Sequence, residues 1–504
     1  MKSYYHYSNK ISKKELYNGL VGCGLFAEKI PNFLCSKEFL KYSKTITIPV
    51  DNKPKDYIRY SSMRNINVPR QMAIPEPFVY ASLCNSLKLN WDKIQKNFKK
   101  NTQKDKFKVS RIHLRKLKGK CSLFEMNYKN YEDDGFPEQD LIIKSKYVVI
   151  ADISKCFPSI YSHAIAWALV GKSFAKTNRN PENWFNELDF RTRNVKYGET
   201  NGVLIGPHTS NLISEIILTK VDKELRKKGF EYIRHIDDYT CYTKSYEEAE
   251  KFFLDLSTEL SKYELSLNLK KSEISPLPKA SVKNWVNRLN HYVFVNTYEY
   301  FGKKGLKVRE LQGFIDFSID LMLKEQSDAS VLNYAIKIIA NKHLGIGAKE
   351  YYLKQIHHLV LLFPYLVSIL EEYVFKPHKV EKSIVKSIAN DIYAYGIERN
   401  IYEACSYALY WASKYGFKLD AKKVKKNALR SNDCIYMLSA FIYHRKTKPK
   451  AYLAEYRDKA ESLKITDFDR YWVYIYEVLP WSDLPLSYKE MKKEKISFLK
   501  SKYK

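Results

Sequence analysis

One short stretch, RHIDDYTCYTKS at residues 234–245, constrains the fold more than any other part of the chain. It sets Asp237 directly beside Asp238, ahead of aromatic and β-branched residues that favour a strand. Two adjacent carboxylates in such a hairpin repel each other and are costly to desolvate. Two explanations are open: a polar hairpin tip, since Asp favours turns, or a metal site, since a divalent cation removes the repulsion. A third carboxylate in the same part of the fold would favour the metal site.

The charge of the chain indicates a polyanionic partner. The 504 residues include 86 Lys and Arg against 56 Asp and Glu, which gives a net charge of +30. A surplus of this size favours nucleic acid as the partner, and a lysine-rich surface that only aids solubility is the alternative. Hydrophobic residues make up 45% of the chain, enough for sizeable cores, and the length predicts two or more domains.

Cysteine usage and hydropathy favour a cytoplasmic protein without membrane contact. The eight cysteines are scattered and show neither a C-x-x-C pair nor a zinc-type Cys/His spacing, which predicts reduced thiols. The N-terminal MKSYYHYSNKISKKEL has no apolar segment typical of a signal peptide. The longest apolar run, LVLLFPYLVSIL at 359–370, contains a proline and is too short to cross a bilayer.

The first 300 residues mix strand-like and helical patterns. KYVVIADI (146–153) is a β-branched run and predicts a buried strand. Residues 245–265 predict a helix with Ser245 as its N-cap. ELSLNLKKSEI (264–274) alternates and predicts another strand. This mixture is typical of an α+β domain.

The pattern changes after about residue 305, where amphipathic helical stripes replace nearly all strand signal. Pro364 and Gly416 stand at predicted helix ends. We therefore predict two domains in an α+β fold, a mixed domain over 1–300 and an all-helical domain over 301–504. The helical domain would be either HEAT-like or a bundle.

The third carboxylate lies in ADISKCFPSIYSH (151–163), where Asp152 ends the predicted strand. The Asp pair follows about 85 residues later, and a glycine-bearing segment that leads into a helix (201–225) lies between them. This order resembles the palm of reverse transcriptases and related polymerases. Asp152 matches the aspartate of motif A, and Asp237 and Asp238 match the Asp-Asp of motif C.

Two further motifs extend this resemblance to about residues 60–275. SLNLKKS (266–272) resembles motif D, with Lys271 at its lysine. PRQMAIP (69–75) resembles the fingers motif Arg-Pro-x-x-Ile-Pro, with Arg70 at the nucleotide-binding arginine. The resemblance implies a fingers–palm fold in the first domain.

The sequence departs from templated reverse transcriptases at two motifs. Motif C usually opens with an aromatic residue, where this chain has His235, and motif B usually carries Pro-Gln-Gly, where it has Leu204-Ile205-Gly206. With the helical C-terminal half, these departures resemble the abortive-infection (Abi) reverse-transcriptase-like polymerases of bacterial and prophage antiphage defence, the AbiK-like group. That resemblance implies template-independent, protein-primed DNA synthesis and a homo-oligomer.

The resemblance also implies two-metal nucleotidyl transfer at the three aspartates. Asp152 and Asp237 would hold two Mg²⁺ (or Mn²⁺) ions, which prefer hard oxygen ligands and activate the attacking hydroxyl. The backbone carbonyl of Ile153 would add a ligand, and Asp238 would be a supporting carboxylate. A helix N-cap is the alternative role for Asp152.

Five further residues are implied in binding the incoming nucleotide. Phe157 occupies the steric-gate position, where a bulky ring favours deoxynucleotides, and core packing is its alternative role. Gly206 and Ser210 belong to the motif B segment, where glycine lets the backbone approach the base. Arg70 and Lys271 would bind the triphosphate or the pyrophosphate, with a solvated surface cation as the alternative role.

A basic segment at 93–120 is predicted to bind single-stranded nucleic acid, because it carries twelve Lys or Arg against one Asp. The predicted nucleic-acid-binding residues are Lys99, Lys100, Arg111 and Arg115. The interleaved Phe98, Phe107 and His113 would add base stacking. A basic surface segment without fixed contacts is the alternative.

The predicted partners are deoxynucleoside triphosphates and a single-stranded DNA product, which the resemblance attaches covalently to a tyrosine. The chain has 41 tyrosines, and those nearest its ends are Tyr4, Tyr5, Tyr7 and Tyr503. Three other functions are open: a templated RNA-directed DNA polymerase of retron or intron kind, a non-catalytic nucleic-acid-binding scaffold, and a nucleotide cyclase. The three intact aspartates disfavour the scaffold, and the fingers motif with the basic surface disfavours the cyclase.

Overall fold

The structure is a computed structural model, and it describes residues 3–26, 29–48, 53–110, 113–114, 122–125, 135–280, 283–295, 297–300 and 303–504. Arg111, Arg115 and the side chain of His113 lie outside this description. The strands are β1 (Tyr57–Met63), β2 (Pro69–Pro75), β3 (His113–Leu114), β4 (Phe124–Glu125), β5 (Tyr147–Asp152), β6 (Tyr232–His235), β7 (Asp238–Thr243), β8 (Glu273–Pro276), β9 (Thr297–Tyr300), β10 (Lys303–Leu306) and β11 (His343–Leu344).

Helices surround these strands and make up almost all of the C-terminal region. Those before residue 300 are α1 (Tyr4–Ser8), α2 (Lys13–Cys23), α3 (Lys37–Tyr42), α4 (Pro77–Leu89), α5 (Trp91–Thr102), α6 (Pro137–Ile142), α7 (Cys156–Ser159), α8 (Ala164–Val170), α9 (Lys172–Thr177), α10 (Trp184–Asn194), α11 (His208–Lys227), α12 (Tyr246–Ser261) and α13 (Asn284–Asn290). Those after it are α14 (Val308–Lys324), α15 (Ser330–Ala340), α16 (Ile346–Leu362), α17 (Val367–Leu370), α18 (Lys382–Arg399), α19 (Tyr402–Tyr415), α20 (Val424–Ser431), α21 (Cys434–Thr447), α22 (Ala454–Thr466), α23 (Phe468–Val478) and α24 (Leu486–Lys493).

Four strands form an antiparallel sheet, the palm sheet, in the order β6–β7–β5–β8. Its central strand β5 confirms the strand predicted at 146–153, and the apolar Val149 and Ala151 are fully buried. Tyr147 pairs with Thr243 at one end of β5. The other end of β5 therefore lies beside the turn that joins β6 to β7.

Helix α12 begins where the sequence predicts. The Ser245 hydroxyl accepts the Glu248 N–H at 3.2 Å and so caps the first turn. Phe252, Leu256 and Leu260 recur on one face of the helix and are fully buried, and the helix packs on β5 and β7. The predicted apolar stripe is the contact of α12 with the palm sheet.

The strand predicted over residues 264–274 is wrong in part, because only β8 is a strand and Leu269–Lys271 is a 3-10 turn. The Asn268 N–H donates to the Asp152 carbonyl at 2.7 Å, and the Lys271 N–H donates to the Asn268 carbonyl at 3.0 Å. These bonds form a turn at residues 268–271 beside the end of β5. The turn places Lys271 beside Asp152.

Strands β1 and β2 form a second antiparallel pair, the fingers hairpin, which contains the motif predicted at 69–75. The register runs from Tyr57 opposite Pro75 to Met63 opposite Pro69. The Ala73 N–H donates to the Ile205 carbonyl at 2.8 Å. The fingers hairpin is therefore tied to the loop that precedes α11.

The described part of the C-terminal region (301–504) is helical, as predicted, apart from the short strands β10 and β11. Helices of this region pack on each other, α18 on α19, α19 on α21 and α21 on α23. Gly416 ends α19 with a φ of +70°, a left-handed conformation that favours glycine, as predicted. Of the residues on the predicted apolar stripes, Ile319, Ile384 and Tyr395 are half-buried. The buried ones are Leu311, Phe314, Ile315, Met322, Leu332, Ala335, Ile336, Ile339, Ile388 and Ile392. The α+β class with a helical C-terminal region is confirmed.

Buried contacts join the N-terminal and C-terminal parts of the chain. The Cys35 N–H donates to the Phe498 carbonyl at 2.7 Å. The Tyr488 hydroxyl donates to the buried Glu76 carboxylate at 2.5 Å. The sheet β11–β10–β9 also runs across residue 300. The domain division at 300/301 stays a prediction.

The cysteines only partly match the prediction of reduced thiols. The free thiols are Cys35, Cys84, Cys156, Cys241, Cys405 and Cys434. Cys23 is disulfide-bonded, so the prediction is wrong at this residue. Spacing along the sequence does not report which cysteines the fold brings together.

Within the described ranges, no one helix has the length and apolar composition needed to cross a membrane. Helix α16 and the following segment Pro364–Phe375 have this length and composition only as a pair, and the pair is bent by 120°.

Candidate active site

Asp152, Asp237 and Asp238 meet at one edge of the palm sheet. Asp152 ends β5 and is 7% exposed, and it pairs directly with Asp238, the first residue of β7. The Asp152 carboxyl group is near enough to raise the pKa of Asp238. Asp237 lies in the two-residue turn between β6 and β7, and its carbonyl accepts the Ile153 N–H at 3.1 Å. The nearby helix α7 has Lys155 at its N-cap, so the alternative role of Asp152 as an N-cap is wrong.

The electrostatics of this site disfavour ionisation of Asp237 and Asp238. Burial raises the pKa of Asp237, and so does Asp152, while Lys271 and Arg70 lower it. Although Asp238 keeps surface accessible to water, desolvation by the surrounding protein, the charge of Asp237 and the Asp152 carboxyl group raise its pKa to about 7. Like charges in a partly desolvated site hinder ionisation, and a bound cation would relieve this repulsion.

Two cations from separate elements lie beside the aspartates. The Lys271 Nζ is 3.3 Å from Asp152 Oδ2, and the Lys271 side chain is 62% exposed. Arg70 is exposed on β2 and near enough to lower the pKa of Asp237. The Ser272 hydroxyl accepts the Asp152 N–H at 3.2 Å and so fixes the segment that carries Lys271. Both cations that the sequence predicts to bind triphosphate therefore flank the aspartates and present exposed surface.

Phe157 and Gly206 belong to two segments that are bonded to each other. Phe157 is half-buried in α7, and its carbonyl accepts the Val203 N–H at 2.8 Å. Gly206 has a φ of +126°, which a residue with a side chain rarely adopts, and it leads into Pro207 at the N-cap of α11. The half-buried ring of Phe157 is compatible with both of its predicted roles, steric gate and core packing.

Ser210 is not brought to the open site. It is 3% exposed in the first turn of α11, beside Thr209, which is 2% exposed. Both residues line a small internal cavity between α4, α10 and the motif B loop. The nucleotide role of Ser210 stays a prediction that would require this packing to open.

The basic segment only partly matches the predicted nucleic-acid surface. Lys99 and Lys100 are exposed in the last turn of α5, as a binding surface requires. The predicted stacking role of Phe98 and Phe107 is wrong, because they are 0% and 8% exposed. Phe98 packs against Trp91 on one face of α5, and the lysines lie on a different face. The described part of this surface therefore offers charge without these two aromatic rings.

The tyrosines nearest the chain ends differ in accessibility. Tyr4 and Tyr503 are buried, and burial raises the pKa of Tyr503 to about 12. Tyr5 and Tyr7 are half-buried. A primer hydroxyl must reach the active site and lose its proton, so burial disfavours Tyr4 and Tyr503 as primers.

A buried ion cluster below the turn between β6 and β7 (Ile236 and Asp237) was not predicted from the sequence. It consists of Arg234, at the end of β6, and Glu215 and Asp222 on α11. The signal was present in the chain, since Arg234 is a cation inside the apolar strand before the Asp pair. Glu215 and Asp222 stand seven positions apart on one helical face.

The donor set at this edge suits a hard divalent cation, since it consists of three carboxylates whose mutual repulsion a cation would relieve. In the described part of the chain, no three Asp, Glu, His or Cys side chains stand close enough to hold a metal ion as they are. Asp152 Oδ2 is instead paired with Lys271, and the Asp152 carboxyl group also interacts with Asp238. Metal binding would therefore replace these contacts.

Comparison with known proteins identifies the domain that carries this site. Residues 86–300 match the family profile described as reverse transcriptase (RNA-dependent DNA polymerase). No curated protein matches the sequence. Residues 86–300 are therefore a reverse transcriptase domain, which indicates a nucleotidyltransferase of reverse-transcriptase-like polymerase type.

Two solved structures that are similar to the chain are telomerases. One is apo telomerase from Candida tropicalis truncated from its C-terminal domain, with 14% identity, 54% of this chain and 57% of that chain covered, and a TM-score of 0.31. The other is apo telomerase from Candida tropicalis, with 12% identity, 75% and 68% covered, and a TM-score of 0.30. The chain thus spans little more than half of the truncated telomerase.

Proposed function

We propose that this protein is an antiphage DNA polymerase of the abortive-infection type that acts in the cytoplasm. It adds deoxynucleotides by two-metal nucleotidyl transfer, without a template, to a tyrosine of the protein itself. The single-stranded DNA product stays attached to that tyrosine, and the active form is a homo-oligomer. The antiphage role, the primer and the oligomer rest on the resemblance to the abortive-infection polymerases.

The observation that carries the polymerase chemistry is the meeting of Asp152, Asp237 and Asp238 at one sheet edge beside two cations. Asp152 and Asp237 would hold the Mg²⁺ or Mn²⁺ ions, with Asp238 and the Ile153 carbonyl in support. When bound, these ions supply activation of the attacking hydroxyl and charge neutralisation at the triphosphate.

The residues of this chain also supply the binding of the nucleotide. Lys271 and Arg70 meet the triphosphate charge, and their exposure leaves room for it. Phe157 excludes the 2′-hydroxyl from below the sugar, which selects deoxynucleotides. None of these groups reads which base is bound.

The motif B loop supports synthesis without a template. Leu204 is 4% exposed, and Ile205 binds the fingers hairpin through its carbonyl. Neither side chain can donate or accept the hydrogen bonds of the glutamine that templated enzymes carry here. Selection by base pairing therefore loses one of its supports.

The test is incorporation of each labelled deoxynucleotide singly, with Mg²⁺, with and without a defined primer–template. The products are separated on a denaturing gel, and Asp152→Asn is the inactive control. Label that migrates with the protein in the absence of template supports the proposal. Incorporation of only the complementary nucleotide would establish the templated polymerase instead, and no incorporation by folded, metal-bound protein would favour the scaffold. Light scattering tests the homo-oligomer.

A further inference from the structure

Arg234 lies directly beneath the turn between β6 and β7 with every donor of its guanidinium engaged. The side chain is completely buried. Nη1 donates to Glu215 Oε1 at 2.8 Å and to the Ile236 carbonyl at 2.8 Å, and Nη2 donates to Glu215 Oε2 at 3.2 Å and Asp222 Oδ2 at 2.6 Å. Nε donates to Asp222 Oδ1 at 3.1 Å. A guanidinium has five N–H donors, and this arrangement uses all of them.

The turn above Arg234 is held in an unfavourable conformation. Ile236 has a φ of +58°, and a β-branched residue in the left-handed region is a genuine outlier. Such strain persists only where the surroundings impose the conformation. Two bonds do so here, the Arg234 bond to the Ile236 carbonyl and the Ile153 N–H bond to the Asp237 carbonyl.

The Ile236 carbonyl belongs to the peptide group that leads into Asp237, so its orientation sets the backbone from which the Asp237 carboxylate projects. Glu215 and Asp222 grip the guanidinium from α11, a long helix that is largely buried. The hydroxyl of Tyr232 also donates to Asp222, at 2.8 Å. The cluster therefore connects a rigid helix to the strained turn.

We propose that Arg234 is a positioning residue that holds Asp237 in its metal-binding place by fixing the Ile236 carbonyl. This rests on the proposed polymerase function for its kinetic consequence, but not for its effect on metal binding. Lysine carries the same charge but cannot span two carboxylates and a carbonyl, since it lacks the planar fork of arginine.

A purely structural ion cluster makes a different prediction. Its loss would lower the folded fraction and leave the properties of the remaining folded protein unchanged. A positioning role instead changes metal affinity and kcat in molecules that are still folded. Outer partners of metal ligands affect metal affinity or activity by about 10–100-fold.

The experiment compares wild type with Arg234→Lys, and with Arg226→Lys as the matched control. Arg226 also joins a carboxylate, Asp105, and a backbone carbonyl, that of Asn101 at 2.9 Å, but it lies at the far end of α11 from the turn. Mn²⁺ affinity is measured by electron paramagnetic resonance, beside kcat and KM for a deoxynucleotide. We expect Arg234→Lys to weaken Mn²⁺ binding about 10–100-fold and to lower kcat more than it changes KM. Arg226→Lys should change neither.

A second substitution provides a rescue. Glycine adopts a positive φ without strain, so Ile236→Gly in the Arg234→Lys background should recover part of the Mn²⁺ affinity. Mn²⁺ affinity of Arg234→Lys within twofold of wild type, or a loss that follows the unfolded fraction and is not rescued, overturns the proposal. If Arg234→Lys does not fold, Glu215→Gln replaces it, with a several-fold loss of Mn²⁺ affinity expected and an unchanged affinity overturning the proposal.

The two proposals fail separately in this experiment. If wild type binds Mn²⁺ with the expected dependence on Arg234 but incorporates no nucleotide, the proposed function fails and the positioning role stands. If wild type incorporates nucleotide and Arg234→Lys matches it in kcat and Mn²⁺ affinity, the positioning role fails. A wild type that binds no Mn²⁺ overturns both.

Discussion

Under the proposed function, we expect Asp237 to contribute most directly to nucleotidyl transfer, because it lies in the turn between β6 and β7 and interacts with Asp152, Arg70 and Lys271. We predict that Asp237→Asn lowers incorporation by about 100-fold or more, the scale of losing one preorganised electrostatic contact at a transition state. The substitution keeps the size of the side chain, so the melting temperature should not fall. Incorporation in Mg²⁺ near the wild-type rate would contradict the assignment.

Substitutions at Phe157 distinguish a steric-gate role from simple core packing. We predict that Phe157→Ala admits ribonucleotides, because the ring no longer fills the space below the sugar. Phe157→Tyr, which keeps the ring, is the matched control and should retain the preference for deoxynucleotides. The measurement is the ratio of kcat/KM for a ribonucleotide and the matching deoxynucleotide. An equal ratio in wild type and Phe157→Ala would assign Phe157 to the core.

At the scale of single residues, the sequence predicted those residues whose role follows from their type and their order along the chain. Three carboxylates at these spacings admit few uses, and the fold brings Asp152, Asp237 and Asp238 together. Arg234 was not predicted, because its role depends on two carboxylates that reach it from another element. Ser210 was predicted to bind the nucleotide, but it is buried by helix packing that the motif does not reveal.

Helix α5 shows why periodicity must be applied before composition. Trp91, Ile94 and Phe98 stand at i, i+3 and i+7 and are fully buried, so the Phe98 ring, which the sequence predicted to stack on bases, belongs to the core face. The lysines of the segment occupy the opposite face. The strand predicted for residues 264–274 was wrong for a different reason, because the Asn268 N–H donates to the Asp152 carbonyl at the end of β5 and so interrupts the extended backbone.

The exposed lysines of α5 lead to a prediction about salt dependence. If Lys99 and Lys100 contact phosphates, the double substitution Lys99→Ala/Lys100→Ala should reduce the slope of log affinity against log salt by about 0.7 per lost contact for single-stranded DNA. The measurement is fluorescence anisotropy of a labelled oligonucleotide at several salt concentrations. Lys324→Ala/Lys354→Ala removes the same charge from exposed positions in the C-terminal region and is the control. Equal slopes for both double variants would leave α5 without a specific role.

At the scale of the whole molecule, the apolar stripes predicted the helices but not their partners. A stripe reports that a face is buried and not what covers it. The fingers hairpin is covered partly by C-terminal helices, where Glu403 on α19 accepts the Ser62 hydroxyl at 2.9 Å and the Met63 N–H at 2.7 Å. An ionisable residue at a core contact between distant parts of the chain has no signature in the local sequence.

Glu403 therefore makes the contact between fingers and helical region sensitive to pH. Burial raises the pKa of Glu403 to about 7, above the ordinary value of 4.5. Between pH 4.5 and pH 7, Glu403 therefore stays protonated in the folded protein but loses its proton in the unfolded chain. Its stability is highest below the ordinary pKa and falls as the pH rises toward 7. The shift corresponds to about 3 kcal/mol of unfolding free energy.

We predict that Glu403→Gln flattens this fall, because the amide cannot ionise and keeps one acceptor for the hairpin. The free energy of unfolding by urea is measured from pH 5 to pH 8 for wild type, Glu403→Gln and Glu398→Gln. The last is the matched control, since the side chain of Glu398 is 74% exposed. Wild type and Glu398→Gln should lose stability in parallel as the pH rises, and Glu403→Gln should lose about 2.5 kcal/mol less over this pH range. Three parallel curves would show that ionisation of Glu403 does not weaken the contact between the fingers hairpin and α19.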